Sequence, residues 1–226
     1  MTKNLIVSFK DVSFGYGKEL IFNNLNFSME EGKFYLFMGS NGEGKSTFCK
    51  LLLGQCKPLS GNIYFQGVPV SKMVKNGTIG YVPQLGSGNK IHFPITLQEL
   101  VGLSLYPRLN GWKRLLPHHK EMIREIIHTV GLKGMENMIF GNLSGGQRQK
   151  ALLAKALVHQ PSFLLFDEPT IGIDKDSKKE LFDFIGHLHK KNNLSILMIS
   201  HDPDDIKNYV DKVILLESGE CKEVSL

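Results

Sequence analysis

The chain has 226 residues, 42% hydrophobic and 22% charged, with a formal net charge of +5. That length buries a sizeable core and suits one domain with an inserted subdomain. No apolar run approaches the ~20 residues that cross a bilayer, and the basic residues are too dispersed for the dense stripe that nucleic acid favours. The N-terminus "MTKNLIVSFKDVSF" lacks the apolar core and cleavage site of a signal peptide, so a cytosolic chain is expected. Cys49, Cys56 and Cys221 show no metal-ligand spacing, which fits a reducing compartment. Small basic groups such as Lys178-Lys179 and Lys190-Lys191 read as solvated surface, and would also suit a negatively charged membrane nearby.

In chain order, "LIVSFKDVSF" and "NLNFSME" alternate as antiparallel strands do. "FYLFM", Phe34 to Met38, reads as a short buried strand. It runs into "GSNGEGKST", where Gly39, Gly44, Lys45 and Ser46 meet the pattern Gly-x-x-x-x-Gly-Lys-Ser. Phe48, Leu51 and Leu52 then predict a helix from Lys45 to Leu53, stopped by Gly54. A glycine loop between strand and helix points backbone N–H groups and the helix N-terminus at one place, a cradle for phosphate. Lys45 would reach the β- and γ-phosphates and Ser46 would ligate Mg²⁺. A turn that binds nothing is the competing reading; the strand before it and the helix after it weigh against that.

"TIGYV" reads as a further strand and ends just before Pro83-Gln84. From Leu85 to Leu143 the chain changes character, through "LGSGN", "FPITLQELVGLSLY" and a helix predicted over His118 to Val130 with Gly131 as its C-terminal cap. No strand pattern is convincing there, so a mainly helical insertion is expected. In "NLSGGQRQKALLAKAL", Ser144 and Gln147 form a capping box for a helix predicted over Gln147 to Val158. Two adjacent glycines are poor helix formers, and they read as exposing N–H groups at a second anion site. A second copy of the chain could then supply the other side of each pocket. "FLLF" leads to Asp167-Glu168, "SILMI" to His201-Asp202, and "KVILLE" follows near the end. Strands separated by helices predict an α/β fold with a largely parallel sheet.

The polar chemistry falls where apolar runs end, at Gly39, Gln84, Asp167-Glu168 and His201. If those runs are parallel strands, all four lie along the carboxyl edge of one sheet, where open α/β sheets bind ligands. Asp167 is placed to hold Mg²⁺, directly or through water, and Glu168 to polarise an attacking water. His201 would hydrogen-bond the γ-phosphate, and Gln84 would contact both Mg²⁺ and the water. Each residue alone would read as an ordinary loop or surface position. Their shared placement favours chemistry.

"GSNGEGKST", "YVPQ", "LSGGQ", "FLLFDEPT" and "SHD", in this order, resemble the nucleotide-binding domain of an ABC transporter. The resemblance covers essentially the whole chain. It implies a P-loop NTPase (RecA-like) core over 1–84 and 148–226 with an N-terminal antiparallel β part. A helical subdomain over 85–147 would end in the signature segment, all within a single ATP-binding domain 1–226. It also implies ATP and Mg²⁺ as ligands, with Tyr16 stacking on adenine and Gly39, Ser40, Asn41, Gly42, Glu43, Gly44, Lys45, Ser46 and Thr47 around the phosphates. Ser46, Gln84 and Asp167 would hold the Mg²⁺, with Glu168, His201 and Gln84 as the catalytic set. Two such domains would pair head to tail, so that Ser144, Gly145, Gly146 and Gln147 act across the dimer and Asp174 links the two sites. Ser40 and Glu43 depart from the usual proline and small residue. Glu43 is expected to point outward, because its charge would be unwelcome against phosphate. Lys150 and Lys155 replace arginines and lose bidentate pairing.

"IGYVPQ", "FPITLQELVGLSLYPRLNGWKRL" and "EIIHTVGL" resemble, more finely, the ATPases of zinc and manganese importers. The expected partners are a second copy of the chain, integral membrane permease subunits and, indirectly, an extracytoplasmic metal-binding protein. Nucleic acid is not expected. The resemblance implies a peripheral protein at the cytoplasmic face of the cell membrane. A groove at Gln84 and the segment Phe93 to Leu100 would receive the permease, with charge at Phe93 or Leu97 uncoupling transport. An ABC ATPase for another substrate, or an iron–sulfur assembly ATPase, remains the alternative. His118, His119, His187 and His189 read as solvated, since His-x-His does not put both rings on one helix face.

Overall fold

From its N-terminus the chain forms β1 (Leu5–Tyr16), β2 (Glu19–Glu30), β3 (Phe34–Met38), α1 (Lys45–Leu52), β4 (Ser60–Phe65) and β5 (Val68–Pro69). The description rests on a computed structural model and covers residues 4–72, 78–85, 94–108, 115–201 and 203–225. The chain divides into two compact units, Met1–Val74 with Leu188–Leu226, and Lys75–His187. In the first, an antiparallel sheet runs β2-β1-β4-β5. The predicted alternation is realised in β2 over Leu25, Phe27 and Met29, all buried, while buried Phe22 falls out of phase across a register shift.

An aromatic cluster fixes α1 within this unit. Phe48 of α1 stacks on Phe9 of β1 at 4.3 Å between centroids and lies 4.7 Å from Phe37 of β3. Phe27 meets it edge-on at 5.4 Å. Burying one such ring stabilises by about 1.5–3 kcal/mol, and here the packing sets the position of the loop that precedes α1.

The second unit holds β6 (Ile79–Val82), α2 (Leu97–Gly102), α3 (Pro117–Thr129), α4 (Gly145–Leu157), β7 (Phe163–Asp167) and most of α5 (Lys175–Asn192). β6 and β7 pair in parallel. A Cβ at Gly80 of β6 would sit 2.5 Å from Leu164 and 2.9 Å from the Ala156 carbonyl of α4, so only glycine lets the helix lie this close to the strand. Thr96 and Glu99 cap α2 reciprocally, and Leu97, Leu100 and Val101 form its buried face. Gly131, at φ +80°, closes α3 as predicted, although the helix itself starts one residue early, at Pro117. The regular structure among the insertion's described residues is helical, apart from an isolated bridge between Thr96 and Ile139.

The chain returns to the first unit with β8 (Ser195–Ile199), β9 (Lys212–Glu217) and β10 (Glu220–Val224). β3 pairs in parallel with β8 on one side and β9 on the other, and β10 pairs antiparallel with β9. Phe34 to Phe37 are all buried because neighbours cover β3 on both faces. The fold class is that read from the sequence: a P-loop NTPase-type α/β core with an antiparallel β part and an inserted helical region.

Candidate functional site

Each unit sets one pair of predicted residues at the carboxyl ends of two paired parallel strands. In the first, β3 and β8 are in register at Phe37 and Ile199, so the loop from Gly39 and His201 leave adjacent strands at the same end. Asp202, beside it in the sequence, lies outside the described residues. In the second, Val82 opposes Phe166, which sets Gln84 beside Asp167 and Glu168.

The loop from Gly39 to Lys45 is shaped by its glycines. Gly42 and Gly44 take φ of +93° and +96°, the left-handed region that other residues enter at a cost. A Cβ at Gly44 would stand 2.5 Å from Ile21 Cγ2 and 2.9 Å from the Phe22 ring. Gly44 is the N-cap of α1 and makes no side-chain capping bond, and no acidic residue lies in the first turn. The helix end therefore presents backbone N–H groups with unopposed positive potential. Lys45, 6% exposed, donates from Nζ to the carbonyls of Gly39 at 2.7 Å and Ser40 at 2.8 Å. Its ammonium is thus held against the loop it belongs to. Asn41, Gly42 and Ser46 are exposed, and Thr47 is buried. Glu43 turns its carboxylate to the turn after β9, where Ser218 N–H donates to Oε2 at 2.7 Å. Tyr16 ends β1 as a 50% exposed residue, its ring edge-on to Phe14 at 5.1 Å and with Lys50 Nζ 6.0 Å from its centroid.

In the second unit, Gln84 Nε2 donates to Glu168 Oε2 at 3.2 Å. The amide oxygen of Gln84 is then the atom left to face a cation. Asp167 is buried at the end of β7, and Tyr81 OH donates to its Oδ2 at 3.4 Å. Glu168 has φ +47°, a conformation costing a non-glycine residue of order 1–3 kcal/mol and common where geometry serves chemistry. The backbone turns out of the strand just where the apolar run stops. Tyr81 escaped the sequence reading because "TIGYV" reads as a strand, in which an alternate-face hydroxyl carries no signal.

Ser144 caps α4 as predicted: its Oγ accepts from Gln147 N–H at 3.3 Å, and Gln147 Oε1 accepts from Ser144 N–H at 2.9 Å. The helix starts at Gly145, two residues before the predicted start. The two glycines also have a reason the sequence reading missed. A Cβ at Gly145 would lie 2.8 Å from the Gly172 carbonyl, and one at Gly146 would lie 2.8 Å from Cβ and Oγ of Ser177. Glycine there lets α4 press on the turn before α5 and on the first turn of α5. Asp174, just before α5, accepts from Ser177 N–H at 2.9 Å, and this backbone bond, with a second from the Ser177 side chain, holds its carboxyl below the ordinary carboxylate range. Lys150 Nζ meets Glu180 Oε2 at 2.7 Å, an α4–α5 link that needs no arginine fork.

Two expectations are corrected. Leu97 is 0% exposed, a core residue of α2, so charge there would unpack the helix rather than probe a docking surface; Phe93 lies outside the described residues. His189 is not solvated: its Nδ1 lies 2.8 Å from the Leu194 carbonyl and its Nε2 3.3 Å from Asp211. His187 is exposed, and His119 Nδ1 accepts from Leu116 N–H at 3.1 Å. No group of three or more His, Cys, Asp or Glu suited to a metal occurs among the described residues. Burial pushes the Cys221 thiol up to about 12, away from thiolate chemistry. No helix among the described residues is long and apolar enough to cross a membrane.

Comparison with known proteins follows the same lines. The family model described as ABC transporter matches residues 22–171. The chain is 37% identical over 218 residues, 95% of its length and 92% of the other's, to the high-affinity zinc uptake system ATP-binding protein ZnuC of Bacillus subtilis (strain 168). It is 31% identical to the chelated iron transport system membrane protein YfeB of Yersinia pestis, over 94% of this chain and 71% of that one. Among solved structures it resembles a metal-chelate type ABC transporter in an inward-facing conformation, with TM-score 0.84, 27% identity and coverage of 98% of this chain and 84% of that one. A dimeric ATP-binding cassette in a post-hydrolysis state, bound to ADP and Pi, matches with TM-score 0.81 and 25% identity over 97% and 98% of the two chains.

Proposed function

This chain belongs to the ABC transporter family as an ATP-binding, ATP-hydrolysing subunit, and on that premise we propose that it powers uptake of a divalent metal ion, zinc first. The hydrolytic half of this reading is carried by one observation, the Gln84–Glu168 contact beside buried Asp167 at the ends of two parallel strands. The metal half rests on likeness along nearly the whole chain to a zinc uptake ATP-binding protein. Iron is the second candidate, from the likeness to a chelated iron transport protein.

In this proposal the N–H groups of residues 42–47 and the Lys45 ammonium bind the phosphates of ATP, and the Tyr16 ring takes the adenine face. The cation-holding set of Ser46 hydroxyl, Gln84 amide oxygen and Asp167 carboxylate consists wholly of oxygen donors, which fits Mg²⁺ rather than a soft metal. When bound, Mg²⁺ neutralises charge on the β- and γ-phosphate oxygens. Glu168 accepts the hydrogen bond of the attacking water, and Gln84 fixes the carboxylate that does so. His201 donates to the γ-phosphate. Ser144, Gly145, Gly146 and Gln147 of a second copy complete each site, with Asp174 linking the two sites. The chain works at the cytoplasmic face of a membrane with permease subunits, which an extracytoplasmic binding protein feeds.

Glu168→Gln tests the chemistry: kcat falls by about 100-fold or more, and an ATP-bound dimer accumulates on size-exclusion chromatography. Normal turnover without that dimer removes Glu168 as the base. Total cellular zinc, iron and manganese, measured by mass spectrometry in a deletion strain and in a Glu168→Gln strain, test the cargo. Selective loss of zinc in both supports the reading, and selective loss of iron reassigns the cargo. Unchanged metals with ATPase intact and only soluble partners favour the iron–sulfur assembly alternative.

A further inference from the structure

The loop before α1 is seated at three points on two neighbouring segments of its own unit. Gly39 fits because a Cβ there would lie 2.6 Å from the Leu216 carbonyl of β9. Gly44 fits against Ile21 and Phe22 of β2. Between them the contact is polar: Ser218 N–H, in the β9–β10 turn, donates to Glu43 Oε2 at 2.7 Å. Ser218 has φ +51° and Gly219 φ +78°, so the turn is tightly specified. A Cβ at Gly219 would stand 2.7 Å from the Ile21 carbonyl, which binds the turn to the same β2 segment that receives Gly44. A Cβ at Gly42, by contrast, would meet no atom within 4 Å. The middle of the loop therefore has open space around it, and the Glu43 carboxylate ties it to the neighbouring turn.

We propose that Glu43 is a positioning residue for nucleotide binding: through Ser218 N–H it fixes the loop whose backbone N–H groups receive phosphate, so the β9–β10 turn helps set nucleotide affinity. This rests on the nucleotide reading above. An unpaired carboxylate two residues before Lys45 would oppose a polyphosphate by like charge. Engaged with a backbone N–H, it becomes the loop's anchor. The geometry requires an acceptor at the end of a two-methylene side chain. It does not require a charge there, and Gln supplies the same acceptor.

The test uses the full chain with Mg²⁺ and ATP or ADP, measuring Kd by calorimetry together with KM and kcat. Glu43→Ala loses a charge-assisted hydrogen bond and is expected to raise both Kd values and KM by about 5- to 10-fold, with kcat within about twofold of the parent. Glu43→Gln should stay within about twofold in every constant. Amide hydrogen exchange gives a second reading: the Ser218 N–H is slow in the parent and in Glu43→Gln, and fast in Glu43→Ala. Parent-like binding in Glu43→Ala overturns the proposal, as does equal weakening in both variants, or a fast Ser218 amide in the parent. Lys45→Ala separates this from the underlying reading. If Lys45→Ala still binds ATP normally, the nucleotide site itself is wrong. If it loses binding while Glu43→Ala does not, only the anchor fails.

Discussion

α1 and α4 both begin on glycine, and the two ends are built for different work. Gly44 caps α1 at φ +96° and offers no side-chain acceptor, so no capping side chain competes for the first N–H groups of α1. Ser144 and Gln147 close a complete capping box on α4, which commits the third amide of that helix internally. Gly145 and Gly146 lack positive φ and are there for close packing on Gly172 and Ser177. One end is left without a side-chain cap. The other is a packed terminus with a few donors to add to a phosphate held elsewhere, which suits a segment proposed to act across a dimer.

The largest expected effect sharpens the first half of that contrast. Gly44→Ala combines a strained φ, about 1–2 kcal/mol, with a Cβ 2.5 Å from Ile21 Cγ2, and overpacking costs about 1–3 kcal/mol more. Calorimetry should show at least a 100-fold loss of ATP affinity, and no single neighbour change should restore it, because the backbone conformation itself is wrong for alanine. Retained affinity would mean that the loop is far more pliable than its contacts imply.

Gly146→Ala probes the other half, and its defect should be curable. The clash is with Cβ and Oγ of Ser177, so Ser177→Gly removes both offending atoms while keeping the N–H that Asp174 accepts. The single variant is expected to lose about 1–3 kcal/mol of stability and most ATPase activity, and the double variant to regain both. Recovery of Tm without recovery of turnover would break the comparison, because Gly146 would then be needed at the ligand and not only for packing.

The same contrast explains what could be read in advance. β3, β7 and β8 are short runs buried on both faces, so their apolar character is continuous and their ends mark the chemistry. β4 buries only Ile63 and Phe65, and β10 buries no residue, so neither gave a pattern. The buried face of α2, Leu97, Leu100 and Val101, stood in the sequence at i, i+3 and i+4. It was passed over because six residues are too few for the period to dominate. The strand, glycine loop and helix of β3 and α1 were legible since their pattern is local. The partner of Glu43 lies 175 residues away, and that of Gly146 lies 31 residues on. His189 likewise finds Asp211 only through the fold. Such contacts belong to topology, which periodicity does not encode.

The smallest expected effect lies two residues beyond the capping box. Gln149 is 1% exposed on α4, and neither its Nε2 nor its Oε1 has a hydrogen-bond partner among the described residues. The N-terminus of α4 is thus satisfied at its cap and unsatisfied on its inner face, beside buried Leu152 and Leu153. A dry, unpaired amide costs about 1–3 kcal/mol, and an apolar group of the same shape removes that cost. Gln149→Met keeps the length of the chain and lacks both polar atoms. Since 1 kcal/mol shifts Tm by about 2–4 °C in a chain of this size, calorimetry should show the variant melting several degrees higher. A lower Tm would mean that the amide is bonded to buried water. The inner face of α4 would then be as fully satisfied as its cap, and the contrast with α1 would rest on the caps alone.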